Sequence, residues 1–200
     1  MLTPRPYLSY SQCTLFERSP ELYKQQYIYG KKQRETINMA YGSLMADGLE
    51  NDEITGDPIL DLMMCHLPKY ELMDIGFEVG LPGGKEIITI LAKPDSAKAD
   101  YTAFYEYKLS TRKWTQKMVD TSDQLTFYAM AMWLKTHKIP QEIELCVVEV
   151  EYIGTRGKLR PTGQIKRFKT KRSMIQIIKM TSRVKKCWHG IQQLCEQELL

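Results

Sequence analysis

The chain predicts an α/β fold, a small mixed central β-sheet flanked by helices, and three observations point there. Runs of β-forming residues alternate with stretches of helical spacing from one end to the other. No repeat, low-complexity tract or linker-like segment divides the 200 residues, a length that supports one core, so residues 1–200 read as a single domain. Charged residues make up 26% of the chain, and no apolar run approaches a membrane span. With no signal-peptide pattern at the N-terminus, the expectation is a cytoplasmic protein without membrane contact.

The elements follow in order. Ser9 and Gln12 form a capping box that opens a helix after Leu8. Ser19 as N-cap and Pro20 at the first helical position open a second, short helix to about Tyr29. Gly30–Thr36 is a polar, basic connector. Ile37–Glu50 has helical spacing through Met39, Ala40, Leu44 and Leu49, and Asp57-Pro58 begins another helix that Pro68 ends. Phe77–Leu81 and Ile87–Ala92 are strands around a turn at Leu81–Gly84. Ser96–Lys98 suits a tight connection, so Asp100–Lys108 is expected to pair with Ile87–Ala92 as a hairpin. Asp120–His137 is one helix, with Thr121 and Ser122 as cap candidates and Thr121/Gln124 as a capping box. Glu142–Ile153 alternates as a long strand, Gly154–Gly157 turns, and Lys158–Lys169 returns with a bulge or break at Pro161–Gly163. Ile177, Val184, Trp188, Ile191 and Cys195 place a long closing helix over Ser173–Leu199.

Charge is unevenly spread. Residues 151–200 hold 12 Lys/Arg against 3 Asp/Glu, whereas the first 150 hold 16 against 21. A basic half suits a polyanion and an acidic cluster suits a metal. Five cysteines, odd in number and without C-x-x-C spacing, argue for free thiols in a reducing compartment. The three histidines lack paired spacing for zinc, and no G-x-x-x-x-G-K loop offers a phosphate cradle.

The chemistry gathers between Lys93 and Lys108. On a strand, Glu106 and Lys108 share a face and Tyr105 and Tyr107 take the other. A hairpin brings Asp95 near Glu106. Two carboxylates that close repel unless a divalent cation lies with them, and hard oxygen donors suit Mg²⁺ or Mn²⁺. A neighbouring lysine can orient a water or offset charge on a phosphate oxygen. Surface strands often carry an i,i+2 Glu/Lys pair as an ordinary ion pair, so that pair decides little by itself.

Pro94-Asp95 followed by Glu106-Tyr107-Lys108 resembles the motif of the PD-(D/E)xK nuclease superfamily. Three more stretches resemble its RecB-type, phage-exonuclease-like branch in the same order: Leu8-Ser9-Tyr10-Ser11, Gly42 to Glu50, and Gln124-x-x-x-Tyr128. The resemblance implies a restriction-endonuclease-like core and a metal-dependent deoxyribonuclease, an exonuclease working on single-stranded or duplex DNA ends. It implies Asp95, Glu106 and Lys108 as catalytic residues. Asp95, Glu106, Glu50 and the Tyr107 carbonyl become ligands of Mg²⁺ or Mn²⁺. Gln124, Tyr128, Ser11, Arg112 and Lys113 become DNA contacts. Many relatives read Gly-x-x-x-His-x-x-x-Glu where this chain has Ala46 in the histidine's place. That departure motivates the alternative, an inactive nucleic-acid-binding module on the same fold. Some relatives hold an iron–sulfur cluster with one early and three late cysteines. Here Cys13 is early and only Cys187 and Cys195 are late, so no iron–sulfur cluster is expected. The resemblance also suggests recombination, repair, CRISPR adaptation or phage or mobile-element replication. Related exonucleases form rings, so a homo-oligomer or a recombination-protein partner is a further expectation.

Overall fold

The computed structural model describes residues 3–32, 34–84, 86–154 and 158–198. In chain order the elements begin with α1 (Tyr10–Arg18), α2 (Pro20–Tyr23), a π-helical turn (Lys24–Ile28), α3 (Ile37–Asn51) and α4 (Pro58–Cys65). Strands β1 (Leu72–Met73), β2 (Phe77–Pro82), β3 (Ile87–Ala92), β4 (Ser96–Ala97) and β5 (Ala103–Ser110) follow. The chain closes with α5 (Gln116–Asp120), α6 (Asp123–Thr136), β6 (Glu142–Ile153), β7 (Lys158–Thr170) and α7 (Met174–Glu198).

Five strands form one mixed sheet in the order β1-β4-β5-β6-β7. Only β5 and β6 run parallel, because the α5–α6 crossover between them returns the chain to the same end. The sheet separates two apolar clusters. On one face, Phe104, Leu145 and Val147 pack with α1, α6 and α7; on the other, Tyr107, Cys146 and Val148 pack with α3 and α4.

Local chemistry explains most boundaries. Ser9 and Ser19 accept from the Gln12 and Leu22 N–H groups, capping α1 and α2, and Pro20 stands where no donor is needed. Asp57 caps α4 through the Ile59 and Leu60 N–H groups. The β6–β7 ladder slips between Val148 and Val150, opposite Pro161–Gln164, where Gly163 adopts φ +80°. Pro161 cannot donate to a ladder, and Gly163 accepts the left-handed turn that a bulge requires.

Four expectations need correction. β3 does not pair with the Asp100–Lys108 strand; it pairs with β2 in a separate two-stranded sheet, and Leu8 bridges its Ile90. The partner of β5 on that side is β4, built from Ser96 and Ala97, the residues expected to turn. The helix expected from Asp120 begins only at Asp123 and runs to Thr136, a separate α5 ends at Asp120, and Ser122 rather than Thr121 caps α6; Thr121 bonds back to the Lys117 carbonyl. The segment after Tyr23 winds as a π-turn, not an α-helix. Of the Gly154–Gly157 turn, Gly154 has φ +64° and residues 155–157 lie outside the described residues.

Candidate active site

The pairing of β4 with β5 sets the site. Ser96 lies opposite Tyr105 and Ala97 opposite Phe104, so Asp95, one residue earlier, falls beside Glu106 and Tyr107. The Tyr107 N–H donates to Asp95 Oδ2 at 2.6 Å. The Ser96 hydroxyl accepts from the Tyr70 N–H at 2.7 Å, which anchors the loop from the other side.

Glu106 and Lys108 share the β5 face under α6. Lys108 Nζ donates to Glu106 Oε1 at 2.7 Å, and Gln124 Nε2 donates to the same oxygen at 2.6 Å. Gln124 also donates to the Tyr128 hydroxyl at 3.1 Å, one helical turn along α6. Glu106 is only 2% exposed, and its Oε2 is buried without a hydrogen-bond partner. An ionised carboxylate accepts through both oxygens, so this half of Glu106 is short of donors.

Burial, followed by the Glu106 charge, pushes the Asp95 carboxyl well above its ordinary range. Burial pulls the Lys108 ammonium down, but Glu106 and then Asp95 outweigh it, so Lys108 is held above its usual value. Burial also raises the Tyr128 hydroxyl, and Glu106 adds to the effect.

Two clefts flank this cluster. The first is lined by Ala46 and Glu50 of α3, by Asp74, and by Asp95 and Lys108. Gly42, Ala46 and Glu50, four apart, all line it, while Asp47 points elsewhere. The exposed Glu50 carboxyl is raised by the hydrogen bond that it shares with Asp74 and by that residue's charge. The second cleft runs past Ser11 to Gln124 and Tyr128.

Asp95, Glu106, Tyr107, Lys108, Gln124 and Tyr128 come together, Glu50 faces them across the first cleft, and Ser11 lies in the second. Arg112 and Lys113 do not join them. They sit on the exposed loop beyond β5, where the Ser110 hydroxyl holds the Arg112 backbone. Trp114 on the same loop packs against the core.

Sequence reasoning missed two residues. Asp74 occupies a left-handed position (φ +48°), donates its N–H to the Asp95 carbonyl at 2.9 Å and pairs with Lys93. A lone Asp in a bend carries no pattern that announces this. Arg172 belongs to the basic segment expected to attract a polyanion, yet it is buried. It donates to the Thr126 and Thr170 hydroxyls and to the Val119, Ser122 and Lys171 carbonyls. Other charges of that segment are also engaged: Arg167 pairs with Glu144, Arg160 with Glu151, Lys166 with Glu149, and Arg183 with Glu17 and Asp123.

Among solved structures, the chain superposes on a protein from Eubacterium rectale described as a candidate exonuclease. The TM-score is 0.62 over 96% of this chain and 82% of that one, at 13% identity. The likeness is one of fold, a mixed sheet flanked by helices. An alkaline exonuclease from Laribacter hongkongensis aligns over 96% of this chain and 92% of its own at 12% identity, with a TM-score of 0.48, too low to carry weight. No protein-family profile and no curated protein sequence matches the chain. In this sheet Pro94-Asp95 precedes the short β4, and Glu106-Tyr107-Lys108 lies in the central β5. Among the described residues, no three His, Cys, Asp or Glu side chains lie close enough to hold a metal ion by themselves, and no helix is long and apolar enough to cross a membrane.

Proposed function

We propose that the protein is a metal-dependent deoxyribonuclease that hydrolyses phosphodiester bonds and acts as an exonuclease on DNA ends. One observation carries this reading. A carboxylate inside the sheet, Glu106, has one oxygen held by Lys108 and Gln124 and the other buried without a partner, beside a second, half-buried carboxylate, Asp95. Leaving such an oxygen without a donor costs about 1–3 kcal/mol, and a hard divalent cation is the partner that two adjacent carboxylates suit.

Asp95 and Glu106 would hold Mg²⁺ or Mn²⁺ with the Tyr107 carbonyl, and Glu50, across the first cleft, would reach the ion through water. When bound, the cation supplies Lewis-acid stabilisation for charge growing on the phosphoryl oxygens. The protein's own groups do the rest. Lys108, kept as an ammonium by its two acidic neighbours, orients the attacking water and stabilises the phosphorane-like transition state. Gln124 fixes Glu106 and, with Tyr128, borders the substrate strand. Ser11 lies farther along that border, and Arg112 and Lys113 reach the phosphate backbone from their exposed loop. Lys158, Lys169, Lys171, Lys179 and Lys186 are exposed and without an ion-pair partner among the described residues, so they carry the long-range attraction to DNA. DNA-end processing in recombination, repair, CRISPR adaptation or mobile-element replication is the setting that this activity fits.

The test is cleavage of end-labelled single-stranded, blunt and overhang DNA in Mg²⁺, Mn²⁺ or chelator, with Lys108→Ala alongside. Metal-dependent loss of label by the wild type is expected. The variant should show no cleavage, with DNA affinity kept within a few-fold. Substantial cleavage by Lys108→Ala would sink the mechanism. Retained DNA binding without cleavage in any metal would favour the inactive binding module that Ala46 motivates.

A further inference from the structure

The second cleft has a composition that the hydrolytic chemistry does not require. Tyr7 and Tyr27 wall its outer end, and Ser11 and Lys93 lead from there to Gln124 and Tyr128. The Arg5 guanidinium lies over both outer rings, 5.9 Å from the Tyr7 centroid and 5.7 Å from that of Tyr27, and donates to the Tyr7 hydroxyl at 2.8 Å. Tyr27 reaches this place because the chain winds a π-helical turn over Lys24–Ile28. Such turns add a residue to the helix and often occur at functional sites. The turn also braces Tyr27 against the buried Tyr23 ring, with centroids 4.9 Å apart. The outcome is two partly exposed tyrosine rings, one supported from behind, with a planar cation on an exposed side chain lying against both.

A guanidinium and a nucleobase are both planar groups that rest on an aromatic face, and a base covers more of it. Arg5 can leave the rings without unfolding anything, and its fork of donors matches a phosphate. Lys93, half exposed, lies nearer the Glu106 cluster, where a second phosphate would pass. We propose that this cleft is a nucleotide subsite. One base of the substrate strand stacks on Tyr7 and Tyr27 where the Arg5 guanidinium now lies, and Arg5 and Lys93 take its flanking phosphates. The inference rests on the nuclease reading and deepens it, because it assigns the strand leaving the Glu106 cluster a path along α1 and the π-turn. It makes the bound strand single-stranded at this point, since a base stacked between neighbours inside a duplex cannot present its face to the rings.

The test uses single-stranded oligonucleotides with chelator present, so that binding is read without cleavage. Each carries one 5-iodouracil, placed in turn at successive positions from either end. Irradiation joins this base to an aromatic ring stacked on it, and peptide mass spectrometry locates the bond. The expected result is a cross-link to Tyr7 or Tyr27 from one position only. Tyr7→Leu and Tyr27→Leu should each weaken binding roughly tenfold, as expected for loss of one base-stacking contact. Tyr7→Phe and Tyr27→Phe, which keep the ring, should bind like the wild type. Cross-links only elsewhere, or Leu variants that bind like the wild type, would overturn the subsite and leave the nuclease reading standing. An oligonucleotide that does not bind at all, even at low salt, would overturn both.

Discussion

The two faces of β5 solve different problems with alternating residues of the same strand. On the α3/α4 side, every large side chain is accommodated. The Tyr107 hydroxyl donates to the Pro68 carbonyl at 2.5 Å, Tyr105 stacks on Tyr70 with centroids 4.4 Å apart, and Leu109 joins the apolar cluster. On the α6 side, Phe104 is followed by Glu106 and Lys108, a charged pair set into a mostly apolar layer with one carboxylate oxygen left without a partner. The first face holds the strand in place. The second holds a charged arrangement that the strand alone would not favour, because burying charge without complete pairing costs stability, and it is the face to which we assign the chemistry. On the proposed reading, stability and chemistry are divided between odd and even positions of one strand, and substitutions should separate them.

The largest effect is expected where α6 is pinned over the charged face. Arg172→Met leaves three carbonyls, that of Val119 buried, and two hydroxyls without their shared donor. It should cost about 3 kcal/mol, a fall in Tm of about 6–12 °C by calorimetry, with loss of cleavage following from displacement of Gln124. Gln124→Met is next. It keeps the packing volume but removes the donor to Glu106 Oε1, and steady-state kinetics should show kcat lowered about 10- to 100-fold with Tm nearly unchanged. Tyr107→Phe acts on the opposite face and should do the reverse. It loses one buried hydrogen bond, costs about 1 kcal/mol and leaves kcat intact. Equal losses of kcat from the Gln124 and Tyr107 variants would erase the division between the faces.

The smallest effect has the opposite sign. The Asp95 carboxyl is held above its ordinary range by burial and by Glu106, so the folded protein loses stability as pH rises through that raised value. Asp95→Asn removes the penalty, and its amide oxygen can still accept from the Tyr107 N–H. In metal-free buffer at neutral pH the variant should melt about 2–4 °C higher than the wild type. Near about pH 3, below the unfolded carboxyl's own value, the gain should vanish because both forms are neutral there. A thermal melt series across pH checks both statements.

Much of this was legible in the chain. Strand β6 runs over Glu142–Ile153 as alternation predicts, and Ser9, Ser19 and Pro20 start their helices where capping chemistry puts them. Period-2 spacing also put Glu106 and Lys108 on one face. Alternation tells which way a side chain points but not which strand lies alongside, so β3 was matched to the wrong neighbour. The contact that draws β3 away, Leu8 against Ile90, spans 82 residues and has no local trace. Arg172 was misjudged for a related reason. A basic residue in a basic segment reads as surface charge, and only the fold shows that five acceptors from α5, α6 and the end of β7 converge on it. Asp74 joins Glu50 and Asp95 through a turn that no spacing foretells.

The central claim is that Asp95 and the donor-short oxygen of Glu106 form a site for a divalent cation. Calorimetric titration of Mn²⁺ into wild type and Asp95→Asn at neutral pH tests it without DNA and without turnover. The account predicts a saturable site in the wild type that Mg²⁺ competes for and that the variant lacks. Titrations that are the same for both proteins, or a wild type that takes up no Mn²⁺ at all, would contradict it.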